Sequence, residues 1–176
     1  MGQTSVATLE FLIEHLRWCL EEPAAHGPRD WAARVSRAVG RVDEAFDHHV
    51  KLFEAPGGPF DRLADPSLLP FAAQAQEAGR LRRQHAALLT QIRCVGELFR
   101  NCLLLVAPPL GTSLRGGAAD GLAERRALRL FAVLGPCAGD LLAGLADHLA
   151  AENRVLGSAA SGRASHLVRR ATSPRP

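Results

Sequence analysis

Four long stretches of this chain repeat apolar residues at the 3.6-residue spacing of a helix, and proline- and glycine-rich breaks separate them. That pattern constrains the fold more than any other feature, because a helix with one apolar stripe must bury it against other helices. The first stretch, residues 4–22, carries Leu9, Leu12, Ile13, Leu16, Cys19 and Leu20. Phe11 and Trp18 widen this stripe on the side of His15, which implies a helix packed between two neighbours. Two prolines and a glycine between Glu22 and Pro28 end it. The second stretch runs from about Asp30 to Glu54, with Trp31, Val35, Val39, Val42, Phe46, His49 and Phe53 on its stripe, and stops at Pro56-Gly57-Gly58-Pro59. A loop through Asp65-Pro66-Ser67 leads to the third, residues 68–106, with Leu81, His85, Leu88, Ile92, Val95 and Phe99. Pro108-Pro109 and a glycine-rich loop follow. The last, residues 120–156, contains Pro136, which predicts a kinked or split helix. Its second part places Leu141, Leu145, His148, Glu152 and Val155 on one face, and Gly157 is a natural stop.

These readings predict an all-α chain: an up-down-up-down four-helix bundle over residues 1–157, with a disordered basic tail over 158–176. Composition agrees. Ala and Leu dominate, aromatic residues are 5%, and there is no Tyr. That mixture favours helices over strands. No apolar run is long enough for a membrane span, and the N-terminus lacks the pattern of a signal peptide. A cytoplasmic protein without a membrane partner is the expectation.

The net charge of +3 is uneven. Four Arg and no acid follow Gly157, which leaves 17 basic and 18 acidic residues before it, a net of −1. A neutral body with a basic tail is not a nucleic-acid-binding surface. The four cysteines, Cys19, Cys94, Cys102 and Cys137, form no CxxC pair and read as reduced core residues. No phosphate-binding glycine loop and no nucleophile-elbow motif occurs.

Chemistry concentrates in the histidines. His15, His49, His85 and His148 fall on the buried stripes of four different helices, and Glu152 follows His148 by one turn. A core histidine is costly unless its ring nitrogens find partners. Four of them, one per helix, are able to converge inside a bundle and grip a metal, with imidazole and carboxylate together suiting iron or manganese. His26, His48 and His166 fall in a loop, on a side face and in the tail, and read as solvated.

The order of these elements resembles the hemerythrin-like, or HHE cation-binding, domain family. The segments that carry the resemblance are Phe11-Leu12-Ile13-Glu14-His15, His49-Val50-Lys51-Leu52-Phe53-Glu54, Arg83-Gln84-His85-Ala86-Ala87-Leu88, and His148 through Leu156. Together they span about residues 5–157. The resemblance implies an up-down four-helix bundle with two bridged iron ions in its core. It implies a non-enzymatic protein that binds or senses oxygen, nitric oxide or iron itself. The metal set carried over is His15, His49, His85, His148 and Glu152. One departure matters: the family's bridging Glu on the second helix falls at Phe53, and Glu54 lies one position further, rotated by ~100°. Leu89 also stands where a second His occurs in the richer pattern. A single ion, or a weakened pair completed by water, is easier to hold with this set. Loss of the metal is the alternative, leaving a degenerate bundle that acts as a protein-interaction or regulatory module. A mononuclear hydrolase or redox enzyme with Glu152 as base is a third reading, which no substrate motif supports.

Overall fold

The structure, a computed structural model, describes residues 2–21, 27–64, 72–106 and 118–172. All regular structure among them is helical: α1 (Gly2–Glu21), α2 (Pro28–Glu54), α3 (Pro59–Leu63), α4 (Ala72–Val106) and α5 (Ala118–Thr172). None of these helices is long and apolar enough to cross a membrane.

The four long helices pack in a ring, α1 on α2, α2 on α4, α4 on α5 and α5 back on α1. Contacts fix the sense of two pairs. Between α2 and α4, Trp31 meets Phe99, and Asp47 meets Arg93, while His49 meets His85. Between α4 and α5, Leu88 lies against Gly144 and Gln84 against His148. Numbers rise on one helix as they fall on the other, so both pairs are antiparallel. This is consistent with an up-down bundle.

Local chemistry explains the ends. Gly27 has φ +89°, a conformation L side chains rarely adopt, and Pro28 takes the first helical position of α2, where its missing N–H costs nothing. The Trp31 N–H then donates to the Gly27 carbonyl at 3.1 Å. After α2, Gly58 sits so close to the helix end that a Cβ would lie 2.7 Å from the Ala55 oxygen and 2.8 Å from that of Leu52. Only glycine admits this fold-back. It swings α3 under the end of α2, where Phe60 and Leu63 are buried. The sequence reading had a plain loop here; a five-residue helix lacks a periodic signal, and burial of Phe60 rather than propensity holds it in place.

Two further expectations change. The split at Pro136 does not occur: α5 is a single helix through it. Pro136 and Ala132 are both exposed, so the carbonyl left without an N–H partner faces solvent rather than the core. Pro136→Ala should therefore stabilise the fold, by on the order of 2 kcal/mol, measurable by urea denaturation. Second, α5 continues past Gly157 to Thr172, beyond the stop expected there. Gly157 is not among the glycines of positive φ, so no left-handed cap forms to end the helix there.

The core has two apolar layers. The larger includes Leu9, Leu16, Phe46, Ile92, Phe99 and Leu145; the smaller, at one end, gathers Phe53, Phe60, Leu63, Leu81 and Val155. Phe11 and Trp18, expected to widen the buried stripe of α1, are instead 70% and 52% exposed. They lie opposite Leu9, Ile13 and Leu16, the residues that α1 buries. None of the four cysteines forms a disulfide; Cys94, read as a core residue, is on the surface.

Candidate metal centre

Between the two apolar layers lies a thin polar one. His49, His85, His148 and Glu152 are buried there, none more than 3% exposed, and one ligand atom from each lies within 4.8 Å of all the others. Each helix delivers its member between apolar neighbours: Phe46 and Phe53 flank His49, Leu81 and Leu88 flank His85, and Leu145 and Val155 bracket His148 and Glu152. The same periodicity that buries the leucines therefore aims the imidazoles inward.

Glu152 is the hub. Its carboxylate lies 2.9 Å from His49 Nε2, 3.0 Å from His85 Nε2 and 3.2 Å from His148 Nε2. Burial pushes its carboxyl up, but the three imidazoles outweigh burial and hold it well below the usual carboxylate range. A carboxyl depressed in the folded state contributes stability that is present above its unfolded value, ~4.3, and is lost as pH falls below it. The metal-free protein should accordingly lose stability on acidification below about pH 4. Glu152→Gln should flatten that loss, as read from urea midpoints against pH.

The far ring nitrogens of His85 and His148 have partners outside this layer, and His49 Nδ1 has none among the described residues. His85 Nδ1 lies 2.7 Å from Glu54 Oε1, and His148 Nδ1 lies 3.2 Å from Gln84 Oε1. A carboxylate cannot donate, so His85 Nδ1 carries the hydrogen. A neutral imidazole has only one N–H, which leaves the Nε2 lone pair of His85 facing Glu152. For His85 to hydrogen-bond both carboxylates it must be a cation; otherwise a cation must sit between Nε2 and Glu152. His49 Nε2, His148 Nε2 and Glu152 Oε2 are close in distance, yet they are aligned with no hydrogen-bond partner among the described residues. Three imidazole Nε2 atoms and a carboxylate gathered around a common centre, with the far nitrogens of His85 and His148 anchored by oxygen acceptors, fit a metal ion.

An aromatic wall surrounds the group. Phe46 stacks on His49 (5.7 Å) and meets His85 and His148 edge-on; Phe53 lies 4.1 Å from His49, and Phe60 stacks on His85 at 5.4 Å. These rings occupy the space beside the group on the side of α2 and α3.

Of the residues expected from sequence, His49, His85, His148 and Glu152 come together, and His15 does not join them. His15 is half-buried on α1, stacked on Trp18 with centroids 6.0 Å apart and with Nε2 3.8 Å from Cys19 Sγ. It precedes Leu16 by one position, ~100° around the helix, and so leaves the centre of the buried stripe. Glu54 reaches the site, not in the Phe53 position but behind His85. Gln84 and Phe60 carried no signal in the sequence, since an amide beside a histidine and a phenylalanine in a short loop are both common.

Glu54→Ala should weaken metal binding by about 10- to 100-fold, the usual effect of removing the acceptor behind a ligating histidine. Glu54→Gln, which keeps an oxygen acceptor, should lose less. Competition against a chromogenic chelator measures both. No family model matches this chain, and no curated protein or solved structure gives a match to it.

Proposed function

We propose that this chain is a hemerythrin-like four-helix bundle of up-down-up-down topology that holds one first-row transition-metal ion, iron foremost, through His49, His85, His148 and Glu152. The observation that carries the reading is the convergence of four buried ligand atoms, one from each of these residues, within 4.8 Å of one another. One ion rather than two follows from the donor set: His15 lies apart, and Phe53 fills the place of a bridging carboxylate. Three imidazoles and one carboxylate suit Fe(II), with Mn(II) and Zn(II) as competitors. When bound, such an ion supplies an open coordination position to a small diatomic ligand such as oxygen or nitric oxide.

The residues of the chain do the rest. Glu54 and Gln84 hold His85 and His148 in the tautomer that presents Nε2, Glu152 offsets the positive charge, and Phe46, Phe53 and Phe60 close the site on the side of α2 and α3. No turnover is assigned to the site. A binding or sensing role is the reading this arrangement supports.

Anaerobic titration of the metal-free protein with Fe(II) tests the proposal. About one equivalent bound per chain is expected, and uptake below about a tenth of an equivalent would overturn it in favour of a metal-free interaction module.

A further inference from the structure

A cleft of about 570 Å³ opens between α4 and α5, with His148 and Gln84 among the residues that line it. Its volume falls within the range of small-molecule sites. Small residues make the room: Ala87 on α4 and Gly144, Ala150 and Ala151 on α5 leave the seam between the helices unfilled.

The polar groups in the cleft are unevenly distributed. Arg80 and Arg154 lie toward one end. Arg80 pairs with Glu77 through Nε at 2.9 Å and through Nη2, which orients its guanidinium, and three of its five N–H donors have no further partner among the described residues. A guanidinium fixed in place loses little freedom on meeting an anion. Gln84 adds to the donors. Its Oε1 accepts from His148 Nδ1, which leaves the amide NH2 to donate. Asp147, the acidic residue of the lining, lies seven positions before Arg154 on the same face of α5, ~10.5 Å away along the helix. Arg80 and Arg154 outnumber the one Glu77 carboxylate beside them, so that end stays net positive, and Asp147 lies two turns away; this asks for a ligand that is anionic at one end and a hydrogen-bond donor at the other.

The geometry points to this cleft as a binding site for a small organic carboxylate that carries an amino or hydroxyl group at the far end of a short aliphatic spacer. The anion meets Arg80, Arg154 and the Gln84 amide, and the far group meets Asp147. The orientation of Gln84 rests on the metal reading, since a bound ion fixes His148 with its hydrogen on Nδ1. Arg80, Arg154 and Asp147 do not depend on it.

The probe is ε-aminocaproate, titrated by calorimetry into metal-free and iron-loaded protein up to about 10 mM. Caproate, which lacks the amine, and inorganic phosphate are the comparison ligands. Saturable binding of ε-aminocaproate is expected, tighter in the iron-loaded protein, with caproate weaker. Arg154→Gln and Arg80→Gln should each weaken it by about tenfold, the usual scale for one charge-assisted contact. Ala150→Leu, at an exposed position of the cleft, should abolish it without altering metal stoichiometry. Absence of saturable binding in the native protein, native affinity in Arg154→Gln and Ala150→Leu, or binding of phosphate in preference to both carboxylates overturns the proposal. Arginine-dependent binding in a protein that takes up no metal leaves the cleft standing and removes the metal centre instead.

Discussion

Glu152→Ala should abolish stoichiometric metal uptake and also destabilise the metal-free fold. Glu152 is the one carboxylate inside the layer, and all three imidazoles face it within 3.2 Å. Removing an acceptor behind a ligating histidine costs 10- to 100-fold in affinity, so removing a ligand itself should exceed ~100-fold. Without metal, the substitution leaves three buried imidazoles facing a void and withdraws the charge that offsets any proton they carry. Breaking a buried, hydrogen-bonded pair by deleting one partner costs about 3–5 kcal/mol. Glu152→Gln keeps the volume and one oxygen, so it should retain more of the fold while still failing to hold the ion. Chelator competition and urea denaturation of both variants separate these two effects. Native affinity in Glu152→Ala would remove the hub from the account.

Phe46→Ala is expected to have the second large effect, on stability rather than on the ligand set. Phe46 is fully buried, and its ring contacts His49, His85 and His148 at centroid distances of 5.7, 5.6 and 5.9 Å. Truncating a buried phenylalanine costs about 3–5 kcal/mol, part of it for the cavity left behind. Here the cavity would border the polar layer and admit water beside the imidazoles. Phe46→Leu, which retains most of the volume, should cost much less, and the difference between the two in urea midpoint measures the wall. A cost below about 1 kcal/mol for Phe46→Ala would mean that neighbouring side chains refill the space.

The helices and three of the four inward histidines were legible in the sequence because both are set by one quantity, the phase of the apolar repeat. His49, His85 and His148 sit at the centre of sharply defined stripes, and the structure buries all three. His15 belongs to a wider stripe that Phe11 and Trp18 seemed to broaden. Those rings are exposed, and phase alone does not reveal which edge of a wide arc is buried. Glu54 illustrates a second limit. Its position off the stripe argued against a ligand, and the structure uses that same offset to reach the outer nitrogen of His85. Contacts such as Gln84 to His148 and Phe60 to His85 join residues far apart in sequence or in segments without periodicity, so they exist only once the helices are packed. The continuation of α5 beyond Gly157 was missed for a simpler reason: glycine permits a left-handed cap without requiring one.

X-ray absorption at the iron edge of the Fe(II)-loaded protein tests the central claim most directly. The account predicts a nitrogen and oxygen shell with the multiple-scattering pattern of about three imidazoles, and no second iron near ~3.5 Å, the separation found in two-metal sites. An iron–iron vector, or a shell without imidazole, would contradict a single ion held by His49, His85, His148 and Glu152.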